Sequence, residues 1–164
     1  GYNGNSRKGG KEMSYRPKKI SVAEAHLSGI DVNFELMGNG EKRYRLVGSD
    51  GSSYCRTVGS EVGAWQNSHY HKLVSEFYVV QSGWIVFAEN DFEDYHLHFL
   101  YQGDSVTVKP FVHHNIFMSS NSVIHTIKYG VGGKGIDWFP SKGLDTYTKD
   151  LSESDLLNLA KNRN

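Results

Sequence analysis

The segment His69-Tyr-His71, with Glu76 five residues further on, has the residue types and spacing best suited to chemistry. On an extended strand, side chains at i and i+2 face the same way, so His69 and His71 present two imidazoles to one point. Glu76 lies beyond a bend, near the start of the next strand, and its carboxylate can return to that point. Two neutral nitrogens and one carboxylate oxygen suit a borderline divalent cation. The expected cofactor is therefore one ion of Mn, Fe, Co, Ni or Zn. A fourth ligand should come from a distant strand, and the adjacent pair His113 and His114 supplies two candidates. His114 shares a strand face with Ile116 and Met118, whereas His113 shares one with Asn115 and Phe117. The more apolar set fits the interior of a β-barrel better, which favours His114 and leaves His113 as the alternative.

Other titratable side chains surround this segment. Six of the eight histidines fall between residues 69 and 114. His96 and His98 repeat the i, i+2 spacing and point together either inward or to solvent. His125 alternates with Val123 and Ile127, and this apolar company suggests an inward face. It reads either as a satisfied core histidine or as an acid/base group beside the metal. Tyr78 alternates with Glu76 and should face the same interior, where its hydroxyl can support a ligand or touch substrate. Tyr78, His98 and His125 are the candidates for catalytic roles. Most aromatic residues near the segment (Trp65, Tyr70, Trp84) read as packing. Cys55 reads as a small buried hydrophobe.

The elements that must position these residues are short strands. Val32–Met37 ends at Gly38-Asn39-Gly40, and residues 42–47 run into Gly48-Ser49-Asp50-Gly51, both strong turn signals. Ser53–Val58 follows. Residues 75–80 and 84–88 flank Gln81-Ser82-Gly83 as a hairpin, and 96–101, 105–109, 115–118 and 123–129 add four more strands. Many short strands separated by turns indicate an all-β sandwich or barrel. Residues 148–160 read as a helix with Ser152 as N-cap and Asp155 three residues on. Leu156, Leu159 and Ala160 make its apolar stripe. Residues 20–26 fit either a short strand or a helical turn. Residues 1–19 read as a flexible arm or tag remnant, 20–145 as the barrel, and 146–164 as the C-terminal helix and tail.

Gly63 through Gly83 resembles the first motif of the cupin family: Gly, five residues, His-x-His, three or four residues, Glu, six residues, Gly. Every defined position matches. Gly103 and His114 have the spacing of the second cupin motif, in which a His follows the Gly by eleven residues. That second motif is otherwise partial. Lys109 stands where it has Pro, Phe111 where it has Gly, and Met118 where it has Asn. The resemblance spans roughly residues 30–130. It implies a double-stranded β-helix, or jelly-roll, barrel with a metal held by His69, His71, Glu76 and His114. It also implies a homodimer paired through an N-terminal strand or sheet edge.

Composition narrows the function classes. The 164 residues suit one domain, and 18 basic against 18 acidic side chains leave no net charge. No basic field draws the chain to nucleic acid or an anionic membrane, and no apolar run approaches a membrane span. The single cysteine suits a reducing compartment, so a cytoplasmic location is expected. The expected partner is a small-molecule substrate. Four protein ligands on an octahedral ion leave about two positions open. A substrate can bind there through adjacent oxygens while the ion stabilises an enediolate-like charge. The leading expectation is a metal-dependent isomerase or epimerase of a sugar or sugar derivative. The alternatives are an Fe(II)-dependent dioxygenase or lyase, and a non-catalytic small-ligand-binding domain.

Overall fold

A computed structural model of the chain describes residues 16–130, 132 and 135–162. Most of the expected N-terminal arm, residues 1–15, lies outside them. Helix α1 (Val22–Leu27) opens the described chain, with Ser21 and Glu24 forming a capping box. Twelve strands follow: β1 (Ile30–Leu36), β2 (Lys42–Gly48), β3 (Ser53–Val58), β4 (Ala64–Trp65), β5 (His69–Tyr70), β6 (Ser75–Ser82), β7 (Trp84–Asn90), β8 (Tyr95–Tyr101), β9 (Ser105–Val108), β10 (His113–Met118), β11 (Val123–Tyr129) and β12 (Phe139–Pro140). Helices α2 (Lys142–Lys149) and α3 (Glu153–Lys161) come last among the described residues. No described helix is long and apolar enough to cross a membrane.

The strands form two antiparallel sheets in a jelly-roll arrangement. The first has the order β1-β2-β3-β11-β6-β9; the second has β12-β5-β10-β7-β8, with β4 also paired to β10. Tyr78, Val80, Val108 and Ile124 of the first sheet meet Ile85, Phe87, Ile116 and Met118 of the second in one buried core. Burying each large apolar side chain contributes about 1.5–3 kcal/mol. A second core lies behind the second sheet. There Val86, Ala88, Leu97 and Phe117 pack against Leu144 of α2 and Leu156 of α3, both fully buried. The second sheet is thus covered on both faces, which explains the unbroken apolar run from Ile85 to Ala88.

Beyond its exposed edge strand β1, the first sheet is covered only on its inner face. Val32, Phe34, Leu36, Tyr44, Leu46, Tyr54 and Ile127 lie exposed on the other. Apolar company therefore does not mark the interior in this sheet. His125 shows the consequence: its neighbours Val123 and Ile127 share the outer face, while Ile124, Thr126 and Lys128 face the second sheet.

The C-terminal region holds two helices where one was expected. Ser152 caps α3 through a complete box with Asp155. The stripe on α3 is narrower than expected, because Leu159 is partly exposed. Helix α2 was not anticipated, since Gly143, Thr146 and Thr148 are weak helix formers. Tertiary contacts hold it instead. Thr148 is fully buried and accepts from Asn115 Nδ2 at 3.0 Å, and Asp145 Oδ1 accepts from the Ser68 N–H at 3.0 Å.

Phe111 occupies the motif position that has glycine in the cupin pattern, and its φ is 69°. The left-handed conformation costs a residue with a Cβ about 1–2 kcal/mol. It is kept because the Phe111 N–H donates to the His71 carbonyl at 2.6 Å, joining the two motif segments. The ring itself is largely exposed. Phe111→Gly should therefore remove the strain with little loss of packing and raise the Tm by about 2–4 °C per kcal/mol gained. A lowered Tm in a thermal melt would contradict this account of the turn.

Candidate metal centre

The four residues named by the first motif and His114 converge between the two sheets. His69 lies in β5 and His71 just beyond it. His114 lies in β10, directly opposite His69 in the ladder. Glu76 reaches across from β6 in the other sheet. One nitrogen or oxygen from each of the four lies within 4.8 Å of all the others. Glu76, His71 and His114 are buried and His69 is nearly so.

The orientation of each ring has a physical cause. His69 Nδ1 lies 2.9 Å from the Asn67 carbonyl, and His114 Nδ1 lies 2.9 Å from the Val112 carbonyl. His71 Nδ1 bonds to the Asp137 carbonyl. A carbonyl only accepts, so each Nδ1 must carry the proton, and each Nε2 is left with a lone pair. All three Nε2 atoms face Glu76 Oε1, at 3.6 Å from His69, 2.5 Å from His71 and 3.1 Å from His114. The other carboxylate oxygen, Oε2, accepts from the Tyr78 hydroxyl at 2.5 Å.

Four electron-pair donors thus face one another in a buried space. His71 Nε2 makes no hydrogen bond of acceptable geometry despite its closeness to Glu76 Oε1. Such an orphaned buried atom calls for a partner. A divalent cation supplies one. Donors at right angles around an ion, each about 2.1 Å from it, stand about 3 Å apart, close to the spacings seen here. The set fits the ion, and its nitrogen and oxygen donors suit a borderline first-row metal.

Electrostatics agree with this use. Burial pushes the Glu76 carboxyl up, but the facing imidazoles of His114, His69 and His71 outweigh it and hold the group well below the usual range. Burial lowers the His69 pKa below 6.5, with Glu76 acting against it, so the imidazole is neutral and ready to ligate near pH 7. Burial and the Glu76 charge raise the Tyr78 phenol well above 10. Tyr78 therefore stays protonated and acts as a donor that fixes Glu76.

The remaining sequence candidates separate cleanly. His113 points to the other face of β10, where Nδ1 meets Ser141 Oγ at 2.6 Å and the ring stacks on Tyr70. His114 is the histidine of this pair that joins the cluster. Tyr78 stands at the centre as expected. His125 does not: it lies on the outer face of the first sheet, between the Tyr54 hydroxyl at 2.6 Å and Gln81. His98 shares the inner face of its sheet but sits on the edge strand β8, half exposed, 3.9 Å from Glu89. The Phe87 ring stands 6.0 Å from both His98 and His114 and separates them. His96 is likewise exposed and paired with Asp91 at 2.9 Å.

Two supporting residues carried no sequence signal. Asp137 supplies the carbonyl that orients His71, and its carboxylate accepts from the N–H groups of Lys72, Leu73 and Val74 at 2.8, 3.0 and 3.2 Å. It therefore pins the bend between His71 and Glu76. Trp138 stacks on His69, with ring centres 5.2 Å apart. Their link to the cluster spans more than sixty residues of sequence, which no local pattern reports.

A cavity of about 170 Å³ opens on the cluster at His69 and Glu76. Hydroxyl and amide side chains line much of it (Ser53, Thr57, Gln66, Thr126), with Tyr78, Cys55 and Trp138. Arg43, Arg45 and Lys128 complete the wall.

Comparison with known proteins identifies the fold. No protein-family model matches the chain, and no curated protein matches it. Solved structures do. Oxalate decarboxylase OxdC of Bacillus subtilis is similar with a TM-score of 0.56 at 13% identity, over 67% of this chain and 30% of that one. The capsular polysaccharide assembling protein CapF of Staphylococcus aureus gives 0.53 at 16%, over 66% and 32%. The CENP-C cupin domain of Drosophila melanogaster gives 0.51 at 16%, over 69% and 84%. This chain thus spans about a third of OxdC and CapF but most of the CENP-C domain. It has a cupin fold, with a His/Glu cluster able to bind a metal.

The ligand assignment separates two adjacent histidines. Calorimetric titration with Zn²⁺ or Mn²⁺ should show binding largely abolished in His114→Ala and in Glu76→Ala. His113→Ala should bind within about threefold of the parent, since a factor of ten corresponds to about 1.4 kcal/mol and no donor is lost. Loss of binding in His113→Ala with retention in His114→Ala would overturn the assignment.

Proposed function

We propose that the protein is a metal-dependent enzyme acting on a small oxygen-bearing molecule. The leading reaction is isomerisation or epimerisation of a sugar or sugar derivative. The observation that carries this reading is the convergence of three Nε2 atoms and Glu76 Oε1 at the wall of an open, polar cavity. A bound ion would polarise a substrate carbonyl and stabilise enediolate charge. The chain's own part is to hold and orient. His69, His71, His114 and Glu76 would ligate, Tyr78 fixes the second carboxylate oxygen, and the hydroxyl-lined wall suits a polyol. Trp138, partly exposed at the cavity, offers a flat ring for a sugar face. The likeness to CapF, a capsular polysaccharide assembling protein, accords with a carbohydrate substrate.

A second reading has its own support. His98 and His125, expected to move a proton, stand away from the cluster, and Tyr78 is held as a donor to Glu76. Metal-centred oxygenation or lysis depends less on a protein base than enediolate chemistry does.

Metal-loaded protein should convert at least one member of a panel of sugars, sugar phosphates and sugar acids in D₂O. NMR should then show deuterium at the carbon beside the carbonyl. Oxygen uptake that requires Fe(II), without such exchange, would favour the second reading. Inertness in both assays, with the metal bound, would leave a binding domain.

A further inference from the structure

The inner face of the first sheet carries positive charge where it meets the cluster. Lys128 in β11 is directly opposite Glu76 in β6 and Ser53 in β3. In such a position a lysine normally pairs with its cross-strand carboxylate. Here it does not, because Glu76 turns one oxygen to the imidazoles and the other to Tyr78. Lys128 makes no hydrogen bond or ion pair with any other described side chain, yet its side chain lines the cavity.

Two arginines extend this wall. Arg45 faces inward from β2, opposite Cys55, in the cross-strand row that also contains Thr126 and Tyr78. Its Nη1 is 2.5 Å from Glu35, a half-exposed residue of β1. Arg43 lies one row further and is held by the fully buried Glu41, with Nη2 to Oε1 at 3.0 Å. Among the described residues lining the cavity, three are cationic, and Glu76 is the one acidic group. Glu41 and Glu35 pair with Arg43 and Arg45 from outside the lining, which leaves Lys128 as the wall's uncompensated cation, and a divalent ion at the cluster would add positive charge beside it.

We propose that this wall is an oxyanion-binding site, and that the substrate carries a carboxylate or phosphate held by Lys128 and Arg45 beside the cluster that would hold the metal. The inference rests on the metal-centred reading above and adds the class of substrate to it. Arg45 offers a planar fork suited to two oxygens of one anion, and Lys128 offers a compact charge with three donors. Arg43, neutralised by Glu41, positions the edge of the wall. The neutral sugars of the panel are then poorer substrates than sugar acids or sugar phosphates.

The test is calorimetric titration of the metal-loaded protein with inorganic phosphate, with malonate and, as a neutral reference, with glycerol. At least one anion should bind and glycerol should not. Lys128→Met and Arg45→Gln should each raise the anion Kd about tenfold or more, and Lys128→Arg should stay within about threefold of the parent. The stronger of the two anions identifies the kind of oxyanion preferred. If neither anion binds, or if both bind Lys128→Met as tightly as the parent so that the metal alone holds them, the proposal is overturned. Metal content is measured on the same samples. A parent protein that takes up no metal sinks the proposed function instead, and the wall is then judged by the same titrations on metal-free protein.

Discussion

The structure turns on the closeness of four lone pairs in a buried space. His69, His71 and His114 each donate Nδ1–H to a backbone carbonyl, and this leaves three bare Nε2 atoms aimed at one carboxylate oxygen. Acceptors brought together away from water repel one another and lack partners. A cation resolves the conflict, and nothing else among the described side chains does so. Lys128 is the nearest cationic position in the ladder, and it remains unpaired. The supporting contacts serve the same arrangement. Tyr78 keeps Glu76 Oε2 turned away, the Asp137 carboxylate fixes the bend before Glu76, and Phe111 ties the second motif to the His71 carbonyl.

The fold supplies this arrangement by joining two differently covered sheets. The second sheet packs on both faces, against the first sheet and against α2 and α3. This burial packs β10 on both faces, and His114 is buried as deeply as Ile116 beside it. The first sheet contributes only Glu76 to the cluster, and otherwise faces it with polar and cationic side chains. The centre therefore lies where an apolar, closely packed wall meets a wall of hydroxyls and positive charge. One side is suited to hold an ion, the other to hold a polar substrate.

Local patterns made part of this legible in the sequence. The i, i+2 geometry places His69 with His71, and Glu76 with Tyr78, whatever the rest of the chain does. Most strand positions followed from turn residues such as Asn39-Gly40 and Asp50-Gly51. His114 was separable from His113 by its company, although Phe117 and Asn115 on the opposite face are also buried, beneath the helices. The same reasoning failed at His125. Apolar neighbours mark the interior only when the other face is polar, and the outer face of the first sheet carries exposed apolar side chains such as Tyr54 and Ile127. Lys128, Asp137, Trp138 and α2 escaped notice for a different reason. Each owes its place to contacts made across the fold, and a charged or aromatic residue in a strand or loop gives no local sign of such contacts.

The claim on which the rest stands is that these four side chains form a metal centre. Elemental analysis of protein purified without a metal-affinity tag tests it most directly, with X-ray absorption spectroscopy on the same sample to read the ligands. The account predicts about one divalent ion per chain, bound by imidazole nitrogens and a carboxylate oxygen at about 2.0–2.2 Å. Protein that holds no ion, and takes up none when supplied with excess Mn²⁺, Fe²⁺, Co²⁺, Ni²⁺ or Zn²⁺, would contradict it.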